Sequence, residues 1–193
     1  LARFDSNIEG TYVASRGVQW RVKHTYQFGP NESDIVERND VRTHYASDAI
    51  RIGTIELIDA QNPLDVRDVN ELRTFIFDPS EDEVMGVGKL YGATDYFRQS
   101  VGSVPLFPTD YPHTSYRLSE ISPTNPYQAL DNESRIMRLQ PTGEFARNGR
   151  EIYRGKVRIN IWIEGWDANA YDAIANDRIK IQLQFKALRS ANE

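Results

Sequence analysis

The sequence predicts an all-β fold: a jelly-roll-type β-sandwich with a short helix in the last strand connection. Three observations predict it. First, apolar and polar residues alternate strictly over long stretches near the C-terminus. Val157, Ile159, Ile161 and Ile163 alternate with Arg158, Asn160, Trp162 and Glu164, and Ile179, Ile181, Leu183, Phe185 and Ala187 alternate with Lys180, Gln182, Gln184 and Lys186. Period two is the mark of a strand with one buried and one wet face. Second, ten Tyr, eight Phe and three Trp in 193 residues favour pleated, half-buried surfaces over helices. Third, strand-length segments are punctuated by Gly, Pro, Asn and Asp clusters. That makes about nine or ten strands, enough for a sandwich.

Taken in order, residues 1–14 place Ala2, Phe4, Ile8 and Tyr12 on a mostly small or apolar face. One strand of this length would reach roughly 40 Å at about 3.3 Å per residue, so a break near Gly10 is expected. Ser15-Arg16-Gly17 reads as a turn, and Val18 to Phe28 as one alternating strand ended by Gly29-Pro30-Asn31. Residues 35–45 read as a strand, and Ala49 to Ile58 as a buried one broken by Asn62-Pro63. Pro63 to Val69 reads as a helical turn, and Leu72 to Phe77 as a short strand closed by Asp78-Pro79. Residues 80–135 carry five prolines between Pro105 and Pro126 and read as long loops anchored by tyrosines. Arg135 to Leu139 is expected as a strand and Gly143 to Gly149 as a turn. Tyr153 to Glu164 and Arg178 to Leu188 are the strongest strands, read as a hairpin across an acidic, aromatic corner. In that corner Asp167 is a candidate N-cap for a helix over 168–175.

Composition narrows the function classes. A net charge of −5 with interleaved signs argues against a nucleic-acid partner and against a polybasic membrane site. No apolar run approaches the roughly 18 residues of a membrane span. The absence of cysteine excludes disulfides, thiolate metal sites and a Cys nucleophile. His24, His44 and His113 are far apart, with no H-E-x-x-H and no G-x-S-x-G, so no enzyme and no cofactor is expected. Gly86-Val87-Gly88 lacks the rest of a dinucleotide fingerprint. The carboxylates Glu164, Asp167, Asp172 and Asp177 could in principle hold Ca²⁺. Their spacing is not that of an EF-hand, and a structural corner of Glu164, Trp166 and Asp167 is the reading preferred, with no metal. The run from Asp78 to Glu83 reads as a solvated loop. Asn31 and Asn132 open N-x-S sequons and are candidate glycosylation sites.

The string I-W-I-E-G-W-D-A-N-A-Y-D-A-I from Ile161, followed by the strand ending Q-F-K-A, resembles the C-terminal end of the TasA/camelysin-like family. These are exported proteins of Gram-positive bacteria, with related archaeal bundling pilins. The opening L-A-R-F-D-S resembles the family's mature N-terminus, although here Asp5 follows Phe4 directly. Together the two matches cover about a fifth of the chain. The resemblance implies a jelly-roll subunit of an extracellular filament, pilus or biofilm matrix. Residues 1–14 would serve as donor strand, and 15–193 would form one sandwich domain with long loops at 80–135. Ala2, Phe4, Ile8 and Tyr12 of one subunit would complete the sheet of the next, building a head-to-tail homopolymer. The start at Leu1 rather than Met fits an exported chain whose leader has been removed. Two alternatives are a carbohydrate-binding cell-surface module, suggested by the Tyr-rich stretch from Tyr91 to Tyr127, and a virion structural protein. Glycans are the further candidate partners.

Overall fold

The computed structural model describes residues 10–27, 31–79, 98–99, 101–102, 115, 117–165, 167, 170 and 172–188. The fold is all-β. The described strands are β1 (Tyr12–Ser15), β2 (Val18–Arg21), β3 (Tyr26–Gln27), β4 (Ile35–Val36), β5 (Val41–His44), β6 (Ile50–Leu57), β7 (Thr74–Phe77), β8 (Gln140–Phe145), β9 (Glu151–Arg154), β10 (Lys156–Ile163) and β11 (Ile179–Gln182). They form four two-stranded ladders, β1-β11, β2-β5, β3-β4 and β8-β9, and one three-stranded sheet ordered β10-β6-β7. No described helix is long and apolar enough to cross a membrane.

The chain divides into two compact units. The first is drawn from Leu1–Arg51, Asp78–Tyr111 and Trp162–Lys186, the second from Ile52–Phe77, Pro112–Ile161 and Ala187–Glu193. In the first unit β1 runs antiparallel to β11, with Tyr12 opposite Gln182 and Ser15 opposite Ile179. Gly10, at φ +106°, ends this strand where a break is expected. The long strand expected over Val18 to Phe28 is interrupted: β2 pairs with β5, the chain bends at Lys23 and His24, and β3 pairs with β4. The bend lets Val22, Tyr26 and Val36 close into one buried cluster, with Trp20 packed against it. A second cluster joins Ala46, Ala49 and Ile174.

In the second unit β6 and β7 form where the apolar β-branched runs predict them, Ile52 opposite Phe77 and Ile55 opposite Thr74. Ile52, Phe75, Phe77 and Ala129 are buried there. The strand expected at Arg135 to Leu139 is irregular chain. The region expected as a turn, Gly143 to Gly149, is instead partly strand: β8 and β9 form a hairpin whose register shifts between Pro141 and Phe145. Proline is tolerated there because a two-stranded ladder is all edge.

The largest departure concerns the C-terminal hairpin. β10 and β11 lie in different sheets, because β1 occupies β11 and β10 lies beside β6. β11 is also shorter than the strand expected over Arg178 to Leu188. The isoleucine face of β10, expected to be buried, is open: Ile159, Ile161 and Ile163 are 37, 46 and 44 % exposed.

Gly17 sits between β1 and β2 at φ +80°, and a Cβ there would lie 2.6 Å from Tyr45 Cε1 and 2.7 Å from Thr43 Cγ2. Gly17→Ala therefore combines backbone strain with a clash. It should lower the unfolding free energy by about 2 kcal/mol or more at unchanged denaturant m-value. Arg16→Ala, at the exposed neighbouring position, should stay within about 0.5 kcal/mol.

Candidate functional site: the terminal ribbon, the buried charges and an open strand

The ribbon formed by the two ends of the chain is fastened beyond its ladder. Gln182 Nε2 donates to Gly10 O (3.1 Å), Gln184 N to Thr11 Oγ1 (3.0 Å) and Arg16 N to Arg178 O (3.1 Å). Lys180 Nζ lies 5.5 Å from the centroid of the Tyr12 ring. Tyr12 thus belongs to a strand paired within its own chain. Ala2, Phe4 and Ile8 lie outside the described residues.

Asp177 is the centre of this region. Its Oδ1 accepts from Gly17 N (2.9 Å) and Arg178 N (2.7 Å), and its Oδ2 from Ala46 N (3.0 Å). Burial alone would raise this carboxyl. The hydrogen bonds from Ala46, Ser15, Arg178 and Gly17 outweigh it and hold the group below the ordinary range. One carboxylate thereby ties the β1–β2 turn, the 3-10 turn Ala46–Ala49 and the start of β11 together. Ser15 adds to the knot: Ser47 N donates to its Oγ at 3.2 Å.

The corner residues separate in role. The Asp167 carboxylate, expected to cap a helix over 168–175, is fully buried and meets Arg51, with Nη2 to Oδ2 at 2.5 Å; residues 168, 169 and 171 of that expected helix lie outside the described residues. Arg51 also meets Asp78 at 2.8 Å. The described helical turn is a 3-10 segment, Asp172–Asn176. Glu164 Oε2 accepts from Trp162 Nε1 (3.2 Å), and Glu164 N donates to Ala49 O (2.7 Å). Trp166 lies outside the described residues. Asp78, expected in a solvated loop, is instead 3 % exposed.

The second unit has its own charged centre. Glu56, 3 % exposed, pairs with Arg67 and accepts from Arg73 N (3.1 Å) and Arg138 N (2.7 Å). Arg67 grips Asp65 two-pronged, at 2.6 and 2.8 Å. The Arg67 hydrogen bond, working against burial and helped by Asp59 N, lowers the Asp65 carboxyl to about 2. Arg154 meets Asp59 at 2.6 Å. Sequence reasoning missed both centres. The available signal was a charge within a buried apolar run, Arg51 and Glu56 inside Ala49 to Ile58, since such charges need partners.

Of the sequons, Asn31 is exposed at the start of the 3-10 turn Glu32–Asp34. Asn132 is half-buried, and Ser134 of its sequon exchanges hydrogen bonds with Ser119 at 2.8 Å each way. Most of Tyr91 to Tyr127 lies outside the described residues, and Tyr127 itself is exposed.

The open surface is β10. It lies at one end of the order β10-β6-β7, so its outer edge has no strand beside it among the described residues. Ile159, Ile161 and Ile163 share one face of this strand and are all part-exposed. Unpaired backbone beside apolar side chains is a template for an added strand. No family model, no curated protein and no solved structure matches this chain.

Two outcomes follow from these contacts. Asp177→Ala strands three backbone donors and should cost about 2–3 kcal/mol, with Asp177→Asn recovering part of it, measured by chemical denaturation. The second concerns His44, which is buried against Tyr26, hydroxyl to Nδ1 at 3.4 Å. Burial, aided by Arg42, lowers its pKa from 6.5 to about 4. Between those values the unfolded chain binds the proton and the folded one does not. Stability is complete above pH 6.5 and falls as pH drops toward 4. Asp48, raised by burial, acts in the opposite sense, and Asp65 and Asp177 contribute only below the ordinary carboxylate range. His44→Gln should flatten the slope between pH 6.5 and 4 in a thermal-melt series.

Proposed function

We propose that this protein is a structural subunit of an extracellular filament or pilus, a jelly-roll-type sandwich that polymerises by strand complementation. Residues preceding Gly10, with Ala2, Phe4 and Ile8 as the inserting side chains, dock on β10 of a neighbouring copy. The observation that carries the reading is the open β10: an eight-residue edge strand with three half-exposed isoleucines on one face. Covering them contributes about 1 kcal/mol each, and the added ladder satisfies the strand's outward N–H and C=O groups. The ladder of β1 with β11, which sets the first and last strands side by side, suits the winding of a jelly roll. On this reading the donor is the segment before Gly10. Tyr12 then acts as the anchor of the donor segment and not as an inserting residue. A head-to-tail contact of this kind does not close on itself, so it yields a fibre. The resemblance of both chain ends to the TasA/camelysin-like proteins points the same way, as does the absence of a motif for catalysis.

Deleting residues 1–9 should abolish filaments seen by electron microscopy while leaving the monomer's unfolding midpoint unchanged. Ile161→Lys, which places a charge in the middle of the open face, should do the same from the acceptor side. Filaments of normal length from either variant would contradict the proposal.

A further inference from the structure

A separate feature lies at the bend after β2. An open cavity of about 530 Å³ lies there, lined by Trp20, Arg21, Val22, Lys23, His24, Arg38 and Asn39. Its walls are fixed by the backbone: Asn39 N donates to Val22 O (2.8 Å) and Val22 N to Asp40 O (2.9 Å). Asn39 turns the chain at φ 78°. Arg21 Nη1 donates to Asn39 O at 2.9 Å, which fixes its guanidinium beside that lining residue. Lys23 Nζ stands 5.3 Å from the centre of the Trp20 ring. Trp20 in turn packs on the Val22, Tyr26 and Val36 cluster, so one wall is a rigid aromatic surface. Three side-chain cations line the cavity, and no carboxylate does. That is a local reversal of sign on a chain of net charge −5.

We infer that this cavity binds an acidic saccharide: the Lys23 ammonium moves from the face of Trp20 onto the anionic group, which Arg21 and Arg38 also hold, and the sugar ring takes its place against Trp20. The volume falls within the roughly 300–1,000 Å³ of small-ligand sites and suits one or two sugar rings. Arginine and lysine beside one another supply both a planar fork and a point charge for a carboxylate or sulfate. A nucleic acid fits less well: the lining offers a single aromatic face, and the chain's overall negative charge repels an extended polyphosphate. The site does not depend on polymerisation, since all its lining residues lie within residues 20–39 of one subunit.

The test is a titration of the full chain with tetragalacturonate, followed by tryptophan fluorescence and calorimetry. Parallel titrations use its methyl-esterified counterpart, a heparin-derived tetrasaccharide and a single-stranded tetranucleotide. Saturable binding of tetragalacturonate is expected, weakened about tenfold or more by Lys23→Ala, by Arg38→Ala and by methyl esterification. Raising salt from about 50 to about 300 mM should weaken it as well. Tighter binding of the heparin-derived probe also supports the site and assigns sulfate as the group recognised. Both variants change exposed side chains, and an unchanged melting temperature verifies their fold. The inference is overturned if neither acidic saccharide binds, if the methyl ester binds equally, if the variants bind like the parent chain, or if the tetranucleotide binds more tightly than both.

Discussion

The antiparallel pairing of β1 with β11 is the contact on which most of the first unit depends. It joins residues as far apart in the chain as Thr11 and Gln184. Closing so long a loop is costly in entropy, though the cost grows only with the logarithm of length. Four ladder residues alone would be a marginal return for it. Asp177 changes the balance, because a single carboxylate answers three backbone donors from three different segments. Charged acceptors make hydrogen bonds about twice as strong as neutral ones. The same group fixes where β1 ends, by holding the N–H of Gly17 in a turn that only glycine fits.

Each unit is also organised around an arginine held by acids: Arg51 by Asp167 and Asp78 in the first, Arg67 by Asp65 and Glu56 in the second. Burying such groups costs several kcal/mol of lost hydration per ion, which close pairing repays only when the remaining donors and acceptors are also met. Glu56 meets that condition, serving two backbone N–H groups besides Arg67. The acids of the second cluster and the polar side chains near it also bind backbone groups of irregular chain. The loop after β6 is an example: Asp59 N donates to Asp65, and Asn62 Nδ2 to Pro141 O.

Apolar, β-branched and aromatic runs bounded by clear breakers make β6 and β7 legible in the sequence. Period-two patterning identifies β10 equally well but misreads its surroundings. Alternation shows that Ile159, Ile161 and Ile163 share a face, and says nothing about what covers it. Nor does it reveal that β11 pairs with β1 and not with the strand before it, since the contact that ties the start of β11 to the β1–β2 turn, Asp177 to Gly17 N, joins residues 160 apart in the chain. Asp167 reads as a cap because it precedes good helix formers. Its partner Arg51 is distant in the chain, and only the fold brings the two together. The Trp20 cavity is invisible for a related reason: the pattern shows a straight strand where the chain bends at Lys23 and His24.

An unpaired edge strand with an apolar face is a liability in a lone subunit and an asset in a polymer. In the proposed filament, the ribbon of β1 and β11 anchors the base of the donor segment, and β10 of the next copy receives it. Hydrogen exchange, compared between monomer and assembled protein, tests this most directly. Strand complementation predicts that backbone amides of β10 (Lys156–Ile163) gain protection on assembly, while those of β1 and β11 are protected alike in both states. Unchanged exchange along β10, with new protection confined to β1 and β11, would contradict it.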